Sequence, residues 1–178
     1  MSRPRIATVW LGGCSGCHMS FMDMDERLIQ IASQVDVVFS PVVDRKAFPE
    51  DVDVTLVEGA VANVENLHMI QRVRKNTKLL VAFGDCAVTG NVTAIRNALG
   101  TALPVLDRAY CDPRDLNPGI PGDGIVPRLL DRVLPVHQVV KVDAFLPGCP
   151  PPPDLIHTVL LDALAGKVPS FAGQVIFG

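Results

Sequence analysis

Four short apolar runs, residues 6–11, 52–57, 78–83 and 139–146, each stop at a glycine-bearing turn: Gly12-Gly13, Glu58-Gly59, Gly84 and Pro147-Gly148. A fifth run, 35–39, reads as a further strand. Between the runs lie helical patterns at about 18–33, 63–75 and 89–99, with Val64, Leu67, Ile70 and Val73 along one side of the second. Strands that alternate with helices imply a parallel sheet, because parallel neighbours need a crossover and the crossover helices cover both faces. The expected fold class is therefore α/β: a flavodoxin-like parallel sheet with helices on both faces and strand order 2-1-3-4-5.

The rest of the chain reads less regularly. Residues 100–124 are rich in proline, glycine and aspartate and are expected to be loop, followed by a short helix at 125–133. Asp154 can cap a helix that runs to about 165, with Gly166 as its stop. The tail from 167 is too short and mixed to assign. With no repeat and no second composition regime, residues 1–178 are expected to form a single domain.

Three of the glycine turns carry cysteine. Cys14 and Cys17 follow the first strand, Cys86 the fourth and Cys149 the fifth; Cys111, in the loop, lacks the neighbouring glycine. Ligands of open parallel sheets collect beyond the carboxyl ends of the strands, so the fold makes neighbours of cysteines that the sequence keeps far apart. Four thiolates suit the soft ligation of an iron–sulfur cluster, and glycine lets the backbone bring N–H groups toward its sulfides. The run Pro150 to Pro153 would stiffen the last ligand loop. A dithiol redox pair at Cys14-x-x-Cys17 and a structural zinc site remain open on the residues alone, as does a flavodoxin-like FMN module.

Composition excludes several classes. Lys+Arg 16 against Asp+Glu 19 leaves a formal net charge of −3, so no nucleic acid partner is expected. No apolar stretch reaches the length of a membrane span, and no signal-type segment opens the chain, so no membrane partner and a cytoplasmic location are expected. In that compartment cysteines serve metals or catalysis more often than disulfides.

The motifs Leu11-Gly12-Gly13-Cys14-Ser15-Gly16-Cys17, Val57-Glu58-Gly59-Ala60, Gly84-Asp85-Cys86-Ala87 and Pro147-Gly148-Cys149-Pro150 together resemble the small subunit of nickel–iron hydrogenases. They are most similar to the small (delta) type of the soluble NAD-reducing enzymes, and respiratory complex I has related subunits. The resemblance implies one [4Fe-4S] cluster held by Cys14, Cys17, Cys86 and Cys149. It also implies a partner large subunit with the nickel–iron centre, and diaphorase subunits that carry further clusters, FMN and NAD. The implied function is electron transfer within a hydrogen:NAD+ oxidoreductase, with no catalytic residue in this chain. A cluster-carrying subunit of another hydrogenase or of a complex I-like quinone reductase is the neighbouring reading. Long hydrogenase small subunits carry a twin-arginine signal and further cluster ligands; neither is found here, which fits a soluble complex. Many relatives place Ser-Glu after the second cysteine, where this chain has His18-Met19.

Two further residues stand out. Glu58 closes an apolar strand at the cluster edge, where a buried carboxylate is costly unless paired. His18 follows the second cysteine. Both are candidates to support the cluster or to relay protons, against structural roles as a loop acceptor and a helix start. Met19, Phe21, Met22 and Met24 crowd one short segment and suit either core packing or partner contact. Arg72, Arg74 and Lys75 read as a solvated helix face.

Overall fold

The computed structural model describes residues 3–114, 116–122 and 124–169. Five parallel strands form the central sheet: β1 (Arg5–Trp10), β2 (Asp36–Phe39), β3 (Val52–Glu58), β5 (Thr77–Phe83) and β7 (Ala144–Leu146). Their order is β2-β1-β3-β5-β7, which is the expected 2-1-3-4-5 once the strands of this sheet are counted alone. A second, antiparallel pair joins β4 (Val61–Asn63) to β6 (Leu129–Leu134).

Alternation along the strands builds two apolar layers. Ile6, Val54, Leu56, Val81 and Phe83 face one side, where Ile156 and Leu160 of α6 (Pro153–Leu164), Ile31 of α2 (Glu26–Gln34) and Met24 pack on them. Ala7, Val9, Val57, Leu80 and Ala82 face the other, covered by Ile70 and Val73 of α3 (Val64–Lys75), with Phe48 and Val136. Both faces of β3 and β5 are therefore buried, as a parallel sheet requires. Asn63 caps α3 by accepting from the Asn66 N–H at 2.8 Å, and Arg72, Arg74 and Lys75 complement its C-terminal end.

Several elements differ from expectation. The helix expected at 18–33 is two helices, α1 (Gly16–Met22) and α2, because Asp25 adopts a positive φ of 49° between them. The stretch expected as loop contains α5 (Leu103–Tyr110), whose Pro104 sits in the first turn, where its missing N–H costs nothing. The helix expected at 125–133 is instead β6: tertiary pairing with β4 overrides a leucine spacing that also suits a helix. Residues 89–99 divide into the end of α4 (Asp85–Thr89) and a 3-10 helix (Asn91–Leu99), broken by Gly90 at φ 90°. The fifth sheet strand is only Ala144–Leu146, preceded by a 3-10 turn at Val136–Gln138. Asp154 lies in the first turn of α6 without a capping bond and pairs with Arg27 at 2.6 Å. Arg74 is not simply solvated: it bonds Asp143 at 2.6 Å and the Lys78 carbonyl at 3.1 Å, fastening α3 to the starts of β5 and β7. Residues 170–178 of the unassigned tail lie outside the described residues.

Candidate functional site

The carboxyl ends of β1, β3, β5 and β7 lie along one edge of the sheet, and the loops leaving β1, β5 and β7 carry Cys14, Cys17, Cys86 and Cys149. These loops are stitched to their neighbours by backbone. The first is bound to the turn after β3: the Leu11 N–H donates to the Glu58 carbonyl at 2.8 Å, and Gly12 and Ala60 exchange N–H···O bonds at 2.9 and 2.8 Å. A Cβ on Gly59 would stand 2.9 Å from the Gly12 carbonyl oxygen, so this approach needs a glycine.

The Cys86 and Cys149 loops are tied through Asp85. Its N–H donates to the Gly148 carbonyl at 3.0 Å, and its buried carboxylate accepts from the Gly148 N–H at 2.6 Å. Ser20 on α1 closes the circuit by donating its hydroxyl to the Pro151 carbonyl at 2.6 Å. Each cysteine-bearing loop is thus anchored to another element of the same edge.

Cys17 and Cys86 are buried, whereas Cys14 and Cys149 are exposed. Gly84 makes room for Cys17: a Cβ there would fall 2.1 Å from the Cys17 sulfur. The Gly16 N–H points to the Cys14 sulfur at 3.4 Å, and Asn91 Nδ2 lies 3.5 Å from that of Cys149. Burial pushes the Cys17 thiol far up, and negative charge on Glu58, Cys86, Cys14 and Cys149 pushes it further. Cys86 is likewise raised by burial, then by Cys14, Cys149 and Glu58, against a small opposing effect of the Val92 N–H. Cys17 and Cys86 therefore each lie within electrostatic reach of Cys14 and Cys149. Among the described residues, no three His, Cys, Asp or Glu side chains close into the shell of a single metal ion. Cys111 lies apart, exposed at the C-terminal end of α5.

Glu58 is the last residue of β3 and is 1% exposed. Its carboxylate accepts from the Cys17 N–H at 3.3 Å and the His18 N–H at 3.0 Å, and pairs with His18 Nδ1. The His18 ring meets Phe83, at the end of β5, edge-on with centroids 6.3 Å apart. Its Nε2 is buried without a hydrogen-bond partner among the described residues, which costs roughly 1–3 kcal/mol if nothing answers it. Among the described residues, His137 meets Phe145 of β7 edge-on with centroids 5.8 Å apart.

Sequence reasoning did not single out Asp85, Ser20 or Asn91. Their roles depend on partners 131 residues away for Ser20, 63 for Asp85 and 58 for Asn91, which leave no local trace. Trp10, Met19 and Met22 are exposed near this edge, so two of the three methionines face outward while Met24 is core.

The family model for the NADH ubiquinone oxidoreductase 20 kDa subunit matches residues 14–163, a span that runs from the first candidate ligand past the last. The chain belongs to this family. It is 40% identical over 167 residues to the delta subunit of the NAD-reducing hydrogenase HoxS of Cupriavidus necator, covering 92% of this chain and 79% of that one. It is 33% identical over 174 residues to one subunit of the vhu F420-non-reducing hydrogenase of Methanocaldococcus jannaschii, covering 97% of this chain but only 60% of that longer one. A solved chain of an NAD+-reducing [NiFe]-hydrogenase in its H2-reduced state superposes with a TM-score of 0.92 at 39% identity, over 99% of both chains. The hydrogenase small-subunit resemblance carried by the four motifs is thus matched along the chain in sequence and in fold. The chain is a component of an oxidoreductase complex of this kind. Among the described residues no helix is long and apolar enough to cross a membrane.

Proposed function

We infer that this chain is the electron-transfer small subunit of a cytoplasmic NAD-reducing [NiFe]-hydrogenase and that residues 1–178 form one iron–sulfur domain. Cys14, Cys17, Cys86 and Cys149 would hold a single [4Fe-4S] cluster. The observation that carries the reading is the convergence of four thiols from three strand-end loops onto one edge of the sheet. Burial first, and then the neighbouring negative charges, raise the proton affinity of Cys17 and Cys86; four thiolates brought together would repel one another, and a cationic iron core would relieve that repulsion. Gly84 supports the fit, since it frees the space into which the Cys17 sulfur extends.

When bound, the cluster supplies one-electron transfer. The chain's own residues do the rest. The ties through Gly12 and Ala60, Asp85 and Gly148, and Ser20 and Pro151 fix the ligand loops, so little reorganisation accompanies a change of charge. Buried Cys17 and Cys86 keep water from one side, while exposed Cys14 and Cys149 lie toward solvent or a partner. Trp10, Met19 and Met22 offer apolar, adaptable surface beside them, suited to a large subunit that bears the nickel–iron centre. Diaphorase subunits with further clusters, FMN and NAD would receive the electrons.

The test is anaerobic purification of the native complex, with iron, sulfide and nickel analysis and a subunit inventory. This reading expects nickel in a copurifying large subunit, and hydrogen-driven dye reduction by the complex but not by this chain alone. Nickel-free quinone-reductase partners, or robust turnover by the isolated chain, would overturn it.

A further inference from the structure

Glu58 is an unusual residue for the end of an apolar parallel strand. Its two carboxylate oxygens meet three donors: the peptide N–H groups of Cys17 and His18, and the ring of His18 at Nδ1. Among the described residues, no lysine or arginine forms an ion pair with it. A carboxyl group surrounded only by donors has no use for a proton of its own, so this arrangement suits the ionised form, with Nδ1 of His18 as the protonated ring nitrogen. The charge is buried, and so is poorly screened by salt or solvent. Its field reaches both buried cysteines, Cys17 and Cys86. His18 is itself held in place, by Phe83 on one side and Glu58 on the other.

Resting on the cluster reading above, we propose that Glu58 is a charge-tuning and positioning residue of this chain's redox centre, locked in place by His18. It anchors the Cys17 backbone and lowers the reduction potential of the cluster. The physical reason is direct. One-electron reduction adds one negative charge at the cluster and transfers no atom; a fixed carboxylate beside the ligand loop opposes that charge, as it opposes a thiolate. His18 is a positioning residue: it acts through Glu58, because its Nδ1–H is spent on the carboxylate.

The test uses the full chain, reconstituted anaerobically with iron and sulfide, with iron and sulfide counted and the midpoint read by EPR during titration with dithionite. Glu58→Gln keeps the shape and removes the charge. It should load iron as the parent does and shift the midpoint upward by about 59 mV or more, which is a tenfold change in a one-electron equilibrium. Glu58→Asp keeps the charge and should stay closer to the parent than Glu58→Gln does. His18→Phe keeps a ring beside Phe83 and removes Nδ1; the less compensated carboxylate should move the midpoint downward. His18→Asn, whose amide N–H can stand in for Nδ1–H, should restore it. A loaded Glu58→Gln chain with an unchanged midpoint overturns the proposal. If Glu58→Gln loads no iron, an unchanged or raised midpoint in His18→Phe overturns it instead. A parent chain that takes up no iron or sulfide overturns the cluster reading, and this proposal with it.

Discussion

Replacing Gly84 by alanine tests how the Cys17 sulfur is accommodated. Gly84 has φ 83° and ψ 161°, a region open in practice to glycine alone, so any side chain there costs about 1–3 kcal/mol in backbone strain. The added Cβ would also lie 2.1 Å from the Cys17 sulfur, which is buried and cannot swing freely into solvent. Overpacking of this kind costs a further ~1–3 kcal/mol. Gly100 provides the control, since its φ is 80° but a Cβ there meets nothing within 4 Å. Gly100→Ala should therefore show the strain alone, and Gly84→Ala should be destabilised by about 1–3 kcal/mol more. Urea titration of the cluster-free chains, followed by circular dichroism, would read this as a midpoint lower by roughly 1 M for a slope near 2 kcal/mol/M. Iron uptake should fall in Gly84→Ala and survive in Gly100→Ala, because only the first displaces Cys17. Equal midpoints for the two variants, with full iron uptake in both, would refute the reasoning.

Other perturbations separate the site from its surroundings. Cys86→Ser should lower or alter cluster content, measured as iron and sulfide per chain, whereas Cys111→Ser should leave it unchanged. Asp85→Ala removes the acceptor of the Gly148 N–H and should cost about 1–3 kcal/mol in urea titration while loosening the Cys149 loop, seen as lower iron retention against a chelator. Asp143 should give the fold an acid-sensitive fastening. Burial alone would raise its pKa, but the Arg74 guanidinium at 2.6 Å and the Leu80 N–H at 2.9 Å outweigh it and hold the carboxyl below its ordinary value. The folded state then binds fewer protons than the unfolded one, so this contribution is present above about pH 4 and is lost as pH falls through the depressed pKa. Asp143→Asn should be less stable than the parent at pH 7 by roughly 1–3 kcal/mol, with the gap closing toward pH 3 in urea midpoints.

What could be read in advance followed from local patterns. Buried parallel strands announce themselves as apolar runs, and glycine turns mark where they stop, so the sheet and the edge holding Cys14, Cys17, Cys86 and Cys149 were legible. Strand β6 was not, because Leu129, Leu130, Val133 and Leu134 suit a helix as well as a strand, and only pairing with β4 decides between them. Helix α5 was hidden by Pro104 and by the glycines around it, since punctuation that breaks a helix interior is harmless at its first turn. Glu58 stood out as a charge in an apolar strand, but its attachment to His18 did not, because 40 residues separate them. Arg74 looked like surface for the same reason: Asp143 lies 69 residues away.

The tie between Ser20 and Pro151 also has a meaning in time. It joins parts of the chain 131 residues apart, and ribosomal synthesis at 5–20 residues per second separates their emergence by about 7–26 s. During that interval Cys14 and Cys17 stand exposed on an incomplete sheet with no Cys149 to meet. A biosynthetic delivery system that released iron and sulfide to the nascent chain would meet Cys14 and Cys17 first, Cys86 later and Cys149 last. If the four cysteines hold a cluster, as proposed above, its insertion would follow completion of the sheet, and the exposed Cys14 and Cys149 would face the side from which the cargo arrives.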